Sequence, residues 1–240
     1  VNVPDPQQIR ALVFDVFGTV VDWRSSIVRE GEALSAKTGF VVDWPAFADA
    51  WRAGYQPAMQ LARSGEIAWT NIDGLHRAIL DGLLPRFGLE SLSAPEVEQL
   101  NRVWHRLDPW HDSVPGLTRL KSRFVIATLS NGNVSLLVDM AKRAGLPWDC
   151  VLSAEIIRKY KPDPAVYRMA AELLGFALDE VMMVAAHPGD LEAAARTGLK
   201  TAYVPRPLEH GPGGRLEAPG ERRFDIVAKD LLALAERLGA

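Results

Sequence analysis

Short apolar runs punctuate the chain, and several of them close on polar residues. Ala11-Leu12-Val13-Phe14 ends at Asp15, with Gly18-Thr19 just beyond. Phe124 to Leu129 ends at Ser130-Asn131-Gly132-Asn133. Cys150 to Ser153 precedes Lys159-Tyr160-Lys161-Pro162-Asp163-Pro164, and Val181 to Ala186 closes on His187-Pro188-Gly189-Asp190. Runs of this length bounded by turn residues read as buried strands. Lys200 to Val204 makes a fifth, and Phe224 to Val227 precedes a final Leu- and Ala-rich helix. Between these runs, Val114-Pro115-Gly116 reads as a turn into a short helix. A helix over about 134–144 stops at Gly145, another begins near Ala165, and a third runs to Gly198. This alternation, joined to the first strand, predicts an α/β fold with a doubly wound parallel sheet.

The stretch from Ser25 to Leu107 has a different period. Phe47-Trp51-Tyr55 and Ile72-Leu75-Ile79-Leu83 recur at helical spacing, with no alternating strand. Helix starts are expected at Ser25-Ser26, at Asp43 with Pro45 following, and at Ser93-Ala94-Pro95-Glu96. An all-helical block is therefore inserted after the first strand. Residues 1–9, polar with two prolines, read as a leader into that strand, and Pro205 to Arg223 as a surface loop.

A chain of 240 residues can hold one sizeable core with a smaller inserted domain. No apolar segment reaches the length of a membrane span, and the start lacks a secretory signal pattern, so a cytosolic location is the default expectation. The single Cys150 excludes an intrachain disulfide framework. A net charge of -3 leaves no basic footprint for nucleic acid, and the five His lack a zinc-binding spacing.

In a parallel sheet the C-terminal strand ends share one edge. That geometry would bring Asp15 and Thr19, Ser130 and Asn131, Lys161, and Asp190 to a common crevice. Taken singly these residues have plain readings. Asp15 reads equally as a turn residue, Ser130-Asn131-Gly132 as a turn, and Lys161 as a surface lysine. Their joint order resembles the haloacid dehalogenase superfamily. The matching motifs are Asp15-Val16-Phe17-Gly18-Thr19, Ser130-Asn131-Gly132, Lys161-Pro162-Asp163 and Gly189-Asp190, and the helical block corresponds to the family's cap. The resemblance implies a core over residues 1–22 and 110–240 and a cap over 23–109.

Most members are magnesium-dependent phosphatases, whose second Asp, two residues after the nucleophile, protonates the leaving oxygen. Here that position is Phe17, and Ala186 stands where a metal-holding acid would be. Both departures weaken a site for a hard cation and point to the (S)-2-haloacid dehalogenase branch, which uses no metal or other cofactor. The small-molecule substrate implied is a 2-haloalkanoate. By resemblance, Asp15 is the nucleophile, Thr19 orients it and Lys161 offsets its charge. Ser130 with the backbone of Val16 and Phe17 holds the substrate carboxylate, and Arg52, in the pair Trp51-Arg52, forms a halide cradle with Asn131. Without the family, Arg52 reads as an ordinary solvated helix residue.

Tyr167 matches a family Tyr near Lys161 and reads equally as a core aromatic. Asp190 matches the acid that activates water on the ester. His187 departs from the small polar residue common in the family, and Ala185 from a serine. A His at that point could share or relay the water proton, or only bond the backbone at a loop start. The tryptophans Trp23, Trp44, Trp69, Trp104, Trp110 and Trp148 read mostly as packing, with Trp69 and Phe17 as pocket-lining candidates. A phosphatase or phosphonate hydrolase, or a catalytically silent binding protein, are the alternatives on the same scaffold. Family members are often dimers, so a homodimer is possible.

Overall fold

The structure, a computed structural model, describes residues 8–214, 216–218, 220 and 223–240. Residues 1–7 of the expected leader, and 215, 219, 221 and 222 of the expected loop, lie outside the described residues.

The first strand, β1 (Ala11–Phe14), is buried along its length. It leads into a two-residue strand, β2 (Val21–Asp22), and then into α1 (Trp23–Thr38), α2 (Trp44–Ser64), α3 (Ile72–Leu83) and α4 (Ala94–Asn101). A 3-10 turn over Arg102–Arg106 returns the chain to β3 (Asp108–Pro109), which pairs antiparallel with β2. The helical block thus leaves and rejoins the core through one short ribbon. The remaining elements are α5 (Ser113–Lys121), β4 (Val125–Ser130), α6 (Val134–Ala144), β5 (Cys150–Ser153), α7 (Pro164–Leu174), β6 (Val181–Ala185), α8 (Pro188–Thr197), β7 (Lys200–Tyr203), β8 (Ile226–Val227) and α9 (Leu231–Arg237).

The main sheet has six strands in the order β5-β4-β1-β6-β7-β8, all pairings parallel. Alternation along β1 divides the core. Leu12 and Phe14 point into one cluster with Ile126, Leu136, Met182, Leu231 and Leu234, whereas Ala11 and Val13 point into the other with Leu129, Val166, Tyr167, Met183 and Leu191. Helices cover both faces, as an all-parallel sheet requires. β1 is the point from which the strand order runs outward in both directions, and open α/β sheets place their ligand crevice at such a point. The fold class is therefore the doubly wound sheet with an inserted helical cap that the pattern predicts. No helix among the described residues is long and apolar enough to cross a membrane.

Three local expectations are corrected. Helix α1 begins at Trp23 rather than at Ser25-Ser26, because the Asp22 carboxylate caps it by accepting the Ser25 N–H at 3.0 Å. Val114-Pro115-Gly116 is not a turn but the start of α5, where a proline lacks nothing the helix needs. A Cβ on Gly116 would lie 2.6 Å from Leu231 Cβ, so the glycine lets α5 and α9 pack closely. Finally, the segment after β7 is more than surface loop. Arg206 and Glu209 are buried, and Arg206 pairs with Asp112 at 2.7 and 2.9 Å while its Nε donates to the Thr19 carbonyl at 2.8 Å. Charged side chains are carried inward there because each meets a partner.

Candidate active site

β1 ends one residue before Asp15, whose side chain, only 11% exposed, emerges at the C-terminal edge of the sheet. Gly18 lets the chain turn at once, at φ 83°. The turn brings Thr19 back, and its hydroxyl donates to Asp15 Oδ2 at 2.7 Å. Thr19 Oγ1 in turn accepts the Ala186 N–H at 2.9 Å, tying the end of β6 to this turn. Between β5 and α7, Lys161 is carried inward. Its Nζ lies 3.0 Å from Asp15 Oδ1 and 2.6 Å from Asp190 Oδ2. Asp190, in the first turn of α8, also accepts the Tyr167 hydroxyl at 2.5 Å.

Burial alone would disfavour ionisation of Asp15, but the Lys161 ammonium and His187 outweigh it and hold its pKa far below the usual carboxylate range. The same balance acts on Lys161, where burial opposes the charge but Asp15 and Asp190 raise the pKa above its ordinary value. The Tyr167 phenol is pushed up by burial and then by Asp190, so it stays a donor.

His187 sits between two carboxylates. Nδ1 lies 3.0 Å from Asp15 Oδ2, and Nε2 lies 3.0 and 3.1 Å from the two oxygens of Glu209. Burial works against the imidazolium, yet hydrogen bonds to Asp15 and Glu209 raise its pKa to about 10. Glu209 carries no motif in the sequence, where it is one acid in a stretch rich in Pro, Gly and charge.

These residues face a cavity of about 430 Å³ between core and cap, lined by Asp15, Phe17, Asn131, Lys161, His187 and Asp190 from the core and by Arg52, Tyr55, Gln56 and Arg63 from α2. The Arg52 guanidinium lies over the Tyr55 and Trp23 rings, 4.5 and 5.6 Å from their centroids, and its Nη1 is buried with no hydrogen-bond partner among the described residues. Asn131 Oδ1 accepts the Lys161 N–H at 2.7 Å, while its Nδ2 lies 3.5 Å from the soft Met59 Sδ and its side chain also bonds the Tyr55 phenol. Phe17 faces the cavity and packs edge-on against Trp104.

Other predicted residues stand behind this wall. Ser130 is fully buried and its Oγ accepts the Gly132 N–H at 3.1 Å, and Val16, Thr19 and Tyr167 are likewise in the core. Trp69 lines a neighbouring cavity with Tyr160, Arg158 and Lys159 rather than this one. Among the described residues no group of three or more His, Cys, Asp or Glu is placed to hold a metal ion. The arrangement offers an ionised carboxylate at the wall of a cleft, an ammonium beside it, and, from α2, a guanidinium N–H with no partner among the described residues. Those are the parts of a nucleophilic displacement with an anionic leaving group.

The family described as haloacid dehalogenase-like hydrolase matches residues 9–198. The chain is 29% identical over 209 residues to (S)-2-haloacid dehalogenase 4A of Burkholderia cepacia, covering 82% of this chain and 84% of that protein. A crystal structure of a defluorinating L-2-haloacid dehalogenase is similar with a TM-score of 0.93 and 49% identity, covering 97% of this chain and 96% of that one. An L-2-haloacid dehalogenase from Xanthobacter autotrophicus, with chloropropionic acid covalently bound, is similar with a TM-score of 0.80 and 25% identity, covering 97% and 99%.

Proposed function

This chain belongs to the haloacid dehalogenase-like hydrolase family, and from that premise we propose that it hydrolyses (S)-2-haloalkanoic acids to (R)-2-hydroxy acids and halide. The single observation that carries the reading is the hydrocarbon ring of Phe17 at the cavity wall, two residues beyond the ionised Asp15, where ester phosphate chemistry would need a proton donor. Similarity to named 2-haloacid dehalogenases over most of the chain supports it.

In this reading an Asp15 oxygen attacks C2 of the substrate, and the carbon–halogen bond breaks with its electron pair leaving on the halide. The attack comes from the face opposite the halide, so C2 inverts. Arg52, whose Nη1 has no hydrogen-bond partner among the described residues, and Asn131 are assigned to receive the halide. The backbone N–H groups of Val16 and Phe17 are assigned to the substrate carboxylate, and Ser130, whose hydroxyl lies buried behind the wall, is assigned to the same subsite from that side. Thr19 fixes the Asp15 carboxylate and Lys161 keeps it charged. Water then attacks Asp15 Cγ in the ester. Asp190, oriented by Tyr167 and Lys161, is assigned as its base.

We further propose a core of residues 1–22 and 110–240 and a cap of 23–109; a cytoplasmic location and a homodimer are what the family resemblance adds to this reading. The catalytic reading is tested by incubating the protein with (S)-2-chloropropionate and with fluoroacetate in excess chelator. Halide release without added metal, abolished by Asp15→Asn, is the expected result. Magnesium-dependent release of phosphate from a generic ester, with no halide, would replace it with the phosphatase reading.

A further inference from the structure

Glu209 lies beyond the span that matches the family and outside every strand-end cluster, yet it reaches the site. Its side chain is only 7% exposed and is enclosed on three sides. His187 Nε2 faces both oxygens, the Trp23 indole N–H donates to Oε1 at 3.1 Å, and the bare Cα of Gly18 makes room for it. A Cβ at Gly18 would lie 2.1 Å from Glu209 Oε1.

Carboxylates only accept hydrogen bonds, so a ring nitrogen bonded to one must carry a proton. His187 faces Asp15 through Nδ1 and Glu209 through Nε2, and it is therefore an imidazolium while both acids are ionised. Such a ring has no lone pair with which to take a proton from water. The expectation that His187 relays the water proton does not suit this geometry.

The two oxygens of Asp15 are unequal. Among the described residues Oδ2 accepts from both Thr19 and His187, whereas Oδ1 has Lys161 alone. Attack by the less encumbered Oδ1 leaves Oδ2 as the ester carbonyl oxygen, with both of its donors still in place.

We propose that Glu209 is a positioning residue for the second half-reaction, holding His187 as an imidazolium whose Nδ1–H, with the Thr19 hydroxyl, forms an oxyanion hole for Oδ2. The proposal rests on the dehalogenase reading. Water oxygen adds to Asp15 Cγ and gives one proton to Asp190, while the carbonyl π pair moves onto Oδ2 between the two donors. Collapse restores the carbonyl and breaks the Cγ–Oδ1 bond. The departing alkoxide, carrying Oδ1, takes the proton from Asp190, and the remaining water proton leaves to solvent as the Asp15 carboxylate re-forms.

Glu209 matters most once the ester exists, because Asp15 has then lost its charge. Asp190, at the start of α8, still favours a cation nearby, while Lys161 and, from the cap, Arg52 oppose one. Glu209 is then the carboxylate still hydrogen-bonded to the ring. Without it, desolvation of the buried imidazolium drives the proton off. A neutral ring is a weaker donor to a developing oxyanion.

The test is rapid-quench turnover of (S)-2-chloropropionate by the wild-type enzyme and Glu209→Gln between about pH 6 and pH 10, following halide and hydroxy acid separately. First-turnover halide release is expected within about threefold of wild type. Hydroxy acid release is expected to slow by about 10- to 100-fold, less than the roughly 10²- to 10³-fold lost when an oxyanion donor is removed outright. Ester accumulates on Asp15, and the alkaline limb of the hydrolytic step moves down by about one pH unit or more. Unchanged hydrolysis with an unchanged alkaline limb overturns the proposal.

The wild-type protein supplies a second measurement. The ¹⁵N resonances of the His187 ring, assigned by their loss in His187→Asn, are expected to show both nitrogens protonated at about pH 8. A neutral tautomer there also overturns it. If the wild-type enzyme releases no halide at all, the dehalogenase reading itself falls and takes this proposal with it.

Discussion

Lys161 sets the charge of the site. Its ammonium lies within hydrogen-bond distance of two buried carboxylates that would otherwise repel each other across the crevice. Removing one partner of a buried charge cluster commonly costs about 3–5 kcal/mol. Lys161→Met is therefore expected to lower stability by about that amount. It should also raise the acid limb of halide release, because Asp15 loses the cation that keeps it ionised at low pH. In the wild type that limb is expected below the usual carboxylate range, and a pH–rate profile of both proteins measures the displacement. Tyr167 is fully buried and gives its hydrogen to Asp190, so Tyr167→Phe keeps the packing and removes one bond to a charged acceptor. Such a bond contributes about 1.5–3 kcal/mol. Hydroxy acid release should slow by about 10- to 100-fold and the melting temperature should fall by about 3–12 °C, as steady-state kinetics and a thermal melt would report.

Much of this constellation is legible in the residues alone, since Asp15, Lys161 and Asp190 each follow an apolar run and a parallel sheet gathers such ends. Ser130 is only half legible. Its place at the end of β4 is plain, but its hydroxyl accepting the Gly132 N–H depends on the local turn. Glu209 carries no local signal. It is recognised only through His187, 22 positions away in the chain, and through the space left by Gly18.

At the scale of elements, the site depends on how α2 presents Arg52. Trp51 is fully buried against Phe47 and Trp104, and its indole N–H donates to the His76 carbonyl on α3 at 3.0 Å. That anchor fixes the rotation of α2 and leaves Arg52 on the cavity side. Trp51→Ala is expected to destabilise the protein by about 3–5 kcal/mol through the cavity it opens. It should also impair turnover, although Trp51 does not line the cleft. Urea unfolding alongside kinetics measures both. Phe47, Trp51 and Tyr55 are spaced for one helix face, and the residue next to Trp51 lies beside that face, so this much follows from periodicity. Helix starts follow less well. Asp22 competes with Ser25 and Ser26 for the cap of α1, and the pairing of β2 with β3 brings Asp22 to the base of the cap.

For the molecule as a whole, cap and core meet at a polar latch away from the cavity. His105, in the turn that ends the cap, bridges Asp73 of α3 at 3.0 Å and Asp139 of α6 at 2.8 Å, and Asn133 donates to Asp73 at 2.9 Å. Burial disfavours the charged ring, but hydrogen bonds to Asp73 and Asp139 outweigh it and raise its pKa. A raised histidine pKa stabilises the folded state fully below the unfolded value of about 6.5, and the contribution is lost as pH rises through the folded value. The urea midpoint is therefore expected to fall between about pH 6 and pH 9. The fall should be smaller in His105→Gln, and an equal fall would remove His105 as its source. The sheet, its helical insertion and the edge that carries the chemistry follow from the order of apolar runs. The latch does not, because it joins residues of three separate elements with no shared motif.

The central claim is that Asp15 itself becomes covalently bound to substrate carbon and is released by water at its own carboxyl carbon. A single turnover of (S)-2-chloropropionate in H₂¹⁸O, with enzyme in excess, tests this through the mass of the peptide containing Asp15 and of the hydroxy acid. The account predicts ¹⁸O in the Asp15 carboxylate and none in the new hydroxyl, whose oxygen comes from Asp15. Label in the hydroxy acid with none in Asp15 would mean that water attacks substrate carbon directly, and would contradict it.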